Sequence, residues 1–276
     1  MSIITQKKFQ EVEMIETGFS LFGKPLLNVY CFYVDGLLFD TGQHRMKKHI
    51  VKALENKQIN KIILTHHHED HSGNAQTLAD LHHAPVYANY LSIPYITQGF
   101  PYRIRFYQWY NLGKIKLVKS PLPYPQQFET EKFCFEPIYT PGHCTDHYCF
   151  LERKKGWLFS GDLYIGNLQV MRNNDEDMQT MIESITKILE YDFDVLFCCH
   201  HPKTTDGKKY LRYKLEYLQE FQQKAIYFYQ KGHSIKEIMK KMNKKENWFY
   251  KIYTENDIGV DFMVKSALKN IIQTEK

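Results

Sequence analysis

The sequence predicts an α/β protein that ends in a group of helices. Three observations point there. Short apolar runs such as Ile62-Ile63-Leu64 and Val195-Leu196-Phe197-Cys198-Cys199 read as buried strands, and each is followed at once by histidines. Between such runs lie amphipathic segments; from Asn174 to Tyr191, Met178, Met181, Ile182, Ile185, Ile188 and Leu189 recur at helical spacing. After Gly207 the character changes to long, Lys-rich helical stretches.

Taken in order, residues Leu26 to Asp40 read as a hairpin, with Asp35-Gly36 between two apolar runs. Arg45 to Asn56 is an amphipathic helix, and Lys61 to Leu64 a strand. A helix from Asn74 to Leu81 and a short strand at Pro85 to Ala88 follow. Tyr90 to Tyr110 reads as irregular and aromatic-rich, with Tyr95, Phe100, Tyr102, Phe106, Tyr107 and Trp109 among its rings. Strand-like runs return at Lys114 to Val118, Phe133 to Thr140, His147 to Glu152 and Trp157 to Ser160. Helices are expected from Tyr210 to Gln230, Ile235 to Met242 and Phe262 to Ile272. Ser234 and Glu237 form a capping-box pattern at the start of the second of these.

Hydrophobic residues make up 43% of the 276, enough for a substantial core. No run of about 18 apolar residues is present, so no membrane span is expected. The first residues, Met1 to Lys8, carry no secretory signal pattern. The six cysteines then read as reduced thiols of a cytoplasmic protein. Cys144 stands apart from the others because it directly follows His143. The net charge of +5 is uneven: Lys203 to Lys276 holds 16 Lys+Arg against 9 Asp+Glu, and the preceding residues 20 against 22. Such a basic segment is either a solvated helical face or a surface for an acidic partner.

The chemistry concentrates at Thr65-His66-His67-His68-Glu69-Asp70-His71-Ser72-Gly73, an H-x-H-x-D-H pattern directly after a strand. Ligands at the carboxyl end of a buried strand stand on a rigid support and face solvent, where an open metal site can be built. Four further polar residues sit in turns after apolar strands: Asp40 in Phe39-Asp40-Thr41-Gly42, His143 after Pro141-Gly142, Asp162 after Ser160-Gly161, and His200 after Cys199. A single buried His or Asp is usually structural; five such turns in this order indicate one site.

On these motifs the chain resembles the metallo-β-lactamase superfamily over roughly residues 20 to 205. The resemblance implies a four-layer αβ/βα sandwich, here with a small C-terminal helical domain. The division would place a catalytic domain at 1–206 and a winged-helix-like appendage at 207–276. It also implies a site for two divalent ions. One would take His66, His68 and His143, the other Asp70, His71 and His200, with Asp162 bridging and Asp40 orienting the cluster from behind. A nitrogen- and carboxylate-rich set suits Zn²⁺, and Fe or Mn is compatible with the same ligands. His201 is the alternative to His200 as last ligand, and His67 reads as structural. Asp70 would also hold the attacking water and carry a proton to the leaving group.

The form Thr-His-x-His-x-Asp-His-Ser-Gly-Asn resembles thioesterases, lactonases and esterases of that superfamily. The expected activity is hydrolysis of a small acyl ester, thioester or lactone. The aromatic segment would then wall the substrate site; alternatively it packs outer helices or a homodimer contact. Two other readings stand beside this one. A phosphodiesterase would use the basic C-terminal helices on a phosphate backbone. A regulatory module would bind nucleic acid or a partner and keep its metals structural, but such sites are closed rather than open to a shared water.

Overall fold

In a computed structural model the chain is described over residues 2–21, 23–25, 27–100, 103–166, 170–173 and 175–274. Leu26, Tyr102 and Asn174, assigned above to a hairpin, the aromatic segment and a helix start, lie outside the described residues. The first sheet contains β1 (Ile3–Phe9), β2 (Val12–Gly18), β3 (Asn28–Val34), β4 (Leu37–Phe39), β5 (Lys61–Ile63), β6 (Val86–Ala88) and β7 (Leu122–Pro123), side by side in that order. Pairing is antiparallel as far as β4 and parallel beyond it. The second sheet contains β8 (Phe128–Glu129), β9 (Cys134–Tyr139), β10 (Tyr148–Glu152) and β11 (Trp157–Gly161). After a separate short strand β12 (Met171–Arg172), it also takes in β13 (Val195–Cys198). β13 lies at one edge, parallel to β11. The expected hairpin turn is present, with Asp35 and Gly36 at φ +45° and +84°, the left-handed pair that a two-residue β-turn of this hand requires.

The two sheets close on an aromatic core of Phe32, Phe39, Phe135, Phe150, Phe159 and Phe197. Phe39 and Phe159 stack with centroids 4.3 Å apart, joining the strands that carry Asp40 and Asp162. The first sheet's outer core takes in Ile50 and Leu54 of α1 (Lys47–Leu54) and Leu78 of α3 (Ala75–His82). One turn of helix, α2 (Glu69–Ser72), lies within the His cluster itself. The second sheet's outer core takes in α6 (Met178–Ile188), α7 (Gly207–Gln230), α8 (Ile235–Lys241) and α10 (Val260–Thr274). The result is the expected four-layer αβ/βα arrangement with a C-terminal helical region.

Several local readings change. Residues 90–110 are not irregular throughout: they hold α4 (Ile93–Gln98) and α5 (Phe106–Leu112). Lys114 to Val118 forms no strand. The parallel edge beside β6 is taken instead by β7, and Val118 turns inward to donate its N–H to the Ile96 carbonyl, 2.8 Å away. The β1–β2 hairpin and a short helix α9 (Trp248–Tyr253) were not anticipated. Ser234 and Glu237 do form a capping box at α8. Leu211, Leu218 and Phe221 of α7 share a core with Leu158 and Leu196 of the second sheet. A last strand, β14 (Ile258–Gly259), pairs with β12 and brings the C-terminal segment to the edge where the strands end. No helix among the described residues is long and apolar enough to cross a membrane.

Candidate metal centre

Every sequence-predicted site residue lies at or just beyond the carboxyl end of a strand, Asp70 and His71 within α2, and the fold gathers them. His66 Nε2 and His143 Nε2 stand 2.9 and 3.0 Å from His68 Nδ1. Asp162 Oδ2 lies 3.1 Å from His200 Nε2 and 3.4 Å from both His71 Nε2 and His143 Nε2. Asp70 Oδ2 is 3.6 Å from His200 Nε2 and 3.9 Å from His71 Nε2. Two ligand-like trios result, His66–His68–His143 and Asp70–His71–His200, with Asp162 between them. His201 lies outside both trios; its ring is exposed and packs beside Gly166.

Each ring is held from behind. His68 Nε2 meets Asp175 at 2.9 Å, His143 Nδ1 meets Glu176 at 2.9 Å, and His66 Nδ1 meets Thr65 Oγ1 at 3.0 Å. His71 Nδ1 meets Asp40 Oδ2 at 2.9 Å, and His200 Nδ1 donates to the Asn28 carbonyl at 2.7 Å. A carboxylate or carbonyl can only accept, and the Thr65 hydroxyl gives its own proton to Asp40, so these outer nitrogens carry the protons and the inner ones present lone pairs. Lone pairs on His66 and His143, each about 3 Å from that of His68, repel it unless a cation lies between them. His71 Nε2 and Asp162 Oδ1 are also buried without any hydrogen-bond partner. That donor set fits divalent metal ions, through borderline nitrogen ligands and hard oxygens.

The electrostatics divide the rings into two groups. Burial pushes His68 down to about 4 despite the Asp175 carboxylate, and burial beside three other imidazoles holds His66 well below its ordinary value. Burial also pulls on His200, but the Asp162 and Asp70 carboxylates outweigh it and hold the ring up at about 9. For Asp162 burial opposes ionisation, yet the neighbouring His200 and His71 keep its carboxyl well below the usual range.

Asp40 sits in the left-handed region at φ +57°. Its carboxylate accepts from Thr65 N–H and from Thr65 Oγ1, each at 2.8 Å. It therefore ties the turn after β4 to the His cluster after β5. His67 points elsewhere, as expected: its backbone N–H and Nδ1 bond Asp146, and its ring stacks on Tyr95 at 4.3 Å. Cys144 is buried beside Asp146, and its thiol is held well above its ordinary value, first by burial.

Sequence reasoning missed an outer layer of residues. His147 Nε2 accepts the Asp162 backbone N–H at 3.0 Å, and burial pushes this imidazole down to about 3, so it stays neutral. Gly161, at φ +47°, packs so closely that a Cβ would come within 2.7 Å of that ring. Arg172 donates Nη1 to Asp175 at 3.3 Å and Nε to Asp257 at 3.0 Å. Asp257, from the C-terminal segment, also receives Arg105 at 2.7 Å and the Tyr107 hydroxyl at 2.7 Å. The buried Lys214 of α7 donates to the Leu163 carbonyl at 2.7 Å, directly behind Asp162. Only the acidic cluster Asp175-Glu176-Asp177 before α6 offered a sequence signal for this layer.

A 280 Å³ cavity opens over the cluster. His68, Asp70, His143, Asp162 and His200 line its floor; Leu27, Tyr107, Val170, Tyr250 and Ile258 line its walls. The aromatic segment thus contributes one wall, through Tyr107.

The comparisons agree with this geometry. The chain is 26% identical over 203 residues to the Beta-lactamase-like protein 2 homolog of Drosophila melanogaster, covering 70% of this chain and 64% of that protein. It is 27% identical over 164 residues to the Atrochrysone carboxyl ACP thioesterase of Aspergillus fumigatus, covering 55% of this chain and 42% of that protein. The chain therefore spans less than two thirds of the length of these relatives. In fold it is similar to a metallo-beta-lactamase family protein from Thermus thermophilus, with a TM-score of 0.67 at 14% identity, over 97% of this chain and 95% of that one. The family pattern described as Metallo-beta-lactamase superfamily matches residues 25–200, and with the strand-end histidines and carboxylates gathered as above, the chain belongs to that superfamily.

Proposed function

We propose that the protein is a dinuclear metal-dependent hydrolase of a small acyl ester, thioester or lactone. The observation that carries this reading is the pair of ligand-like trios around a shared Asp162, open to a cavity with largely apolar walls. His66, His68 and His143 would hold one ion, Asp70, His71 and His200 the other, with Asp162 common to both. Zn²⁺ is the ion these donors suit best. Two such ions, when bound, supply hydroxide near neutral pH and polarise the scissile carbonyl.

The chain's own residues supply the remaining steps. Leu27, Tyr107, Val170 and Tyr250 seat the acyl group and exclude water from around it. Asp70, at the cavity floor, takes the proton of the attacking water and returns it to the leaving group. Asp175, Glu176 and Asp40 hold the imidazoles at fixed tautomer and angle. The relative named as a thioesterase supports the acyl reading. The six cysteines stand as free thiols, which supports placement in a reducing compartment.

The deciding experiment is a panel of ester, thioester, lactone and bis-nitrophenyl phosphate substrates, run on zinc-loaded protein with metal analysis. Acyl hydrolysis with about two ions per chain is expected, and His68→Ala should abolish turnover without unfolding the chain. Cleavage of the phosphodiester alone would replace this reading with a phosphodiesterase.

A further inference from the structure

The apolar cavity is not the only recess that reaches His200. A second cleft of 580 Å³ shares Leu27, His200 and His201 with it and runs away along the inner face of β1 and β2 to the turn at Lys203–Thr204. Its lining is unlike that of the first. Lys7 and Lys203 bring two ammonium groups, against one carboxylate, Glu16, which accepts from Asn28 Nδ2 at 2.9 Å; Lys8, opposite Glu13, points to the other face of β1. Lys7 leaves β1 on the same face as Phe9, whose ring packs on Phe197, so its side chain is directed over the cleft. The Lys203 ammonium is steadied over the Tyr210 ring at 4.5 Å. Among the described residues no ion pair engages Lys7, Lys8 or Lys203.

Hydrolysis of an acyl bond needs room on both sides of the carbonyl, one for the acyl group and one for the leaving arm. A 280 Å³ cavity holds only one of these. We propose that the basic cleft takes the leaving arm and that this arm bears phosphate, making the substrate an acyl thioester or ester of a phosphorylated carrier. This rests on the acyl-hydrolase reading above. In the reaction water adds its oxygen to the carbonyl carbon and the carbon–sulfur (or carbon–oxygen) bond breaks. The departing thiolate or alkoxide takes up a proton, and the products are a carboxylate and the free carrier, with no change of oxidation state.

The test uses full-length, zinc-loaded protein and two readouts. The first is kcat/KM for octanoyl-coenzyme A against the octanoyl thioester of N-acetylcysteamine, which has the same acyl group and no phosphate. Wild type should favour the former by about tenfold or more, and the preference should shrink as salt rises. Lys7→Glu/Lys203→Glu should abolish the preference through KM, and Lys7→Arg/Lys203→Arg should keep it. The second readout is direct binding of S-methyl-coenzyme A, which needs no turnover. Binding lost in the Glu variant and kept in the Arg variant supports the cleft even if neither thioester is hydrolysed, an outcome that sinks only the acyl reading. Equal rates on both thioesters, or no binding of S-methyl-coenzyme A, overturns the proposal. So does lysine-dependent cleavage of a single-stranded oligoribonucleotide in place of that binding.

Discussion

At the scale of the residue, the site depends on carboxylates that face no substrate. Asp40 satisfies the buried Thr65 N–H, Thr65 Oγ1 and His71 Nδ1 together. Asp40→Ala strands those donors and should cost about 1–3 kcal/mol for each that stays unsatisfied. It should also weaken zinc binding by about 10–100-fold, read by competition with a chelator; unchanged zinc affinity would remove Asp40 from the orienting role. Lys214 gives a pH signature. Burial pushes its ammonium down from 10.5 to about 8 in the folded chain. Below about 8 both states carry the proton, and the fold bears the full cost of burying the charge. Between 8 and 10.5 the unfolded chain binds more protons, so this residue's contribution rises with pH. Buried thiols such as Cys31 and Cys149, pushed up to about 12, act in the opposite sense. The difference between wild type and Lys214→Met isolates the term: in urea unfolding, wild type should gain on the variant from pH 8 to 10.5, and a constant difference would refute it.

At the scale of the element, the strands were readable because each is short, apolar and stopped by a polar turn. The Asp35-Gly36 hairpin and the Ser234–Glu237 capping box are local chemistry, and both formed where their residues stand. Ser234→Ala should lower stability by about 1 kcal/mol, with a matching fall in the urea midpoint; no shift would mean that α8 is held by packing alone. Lys114 to Val118 had the composition of a strand but gained no partner, because β7 occupies the edge beside β6. Strand formation is settled by pairing, which lies outside the segment's own residues. The β1–β2 hairpin was missed for the converse reason. Its charged residues, Lys7, Lys8, Glu13 and Glu16, obscured an alternation that the register makes plain.

At the scale of the whole molecule, the C-terminal helices complete the second sheet's outer layer and support the site. Leu211, Leu218, Met263 and Leu268 bury against the same cluster as Leu196. Asp257 draws together Arg105, Tyr107 and Arg172, and Arg172 in turn braces Asp175 behind His68. A chain cut after residue 206 exposes that apolar face and should lose cooperative unfolding and aggregate. If it instead unfolds in one sharp transition and retains zinc, the C-terminal helices are a dispensable domain. The sequence by itself determined the α/β class and the strand-end turns, and its motifs pointed to His66, His68, Asp70, His71, His143, Asp162 and His200 as one cluster. Each of these is marked by a polar residue set against a local apolar pattern. Only the tertiary structure decided the outer layer of His147, Asp175, Glu176, Asp257 and Lys214, the wall supplied by Tyr107, and the basic cleft beside His200. Those residues act across long separations in the chain, and apart from the acidic run Asp175-Glu176-Asp177 neither spacing nor periodicity carries a signal for them.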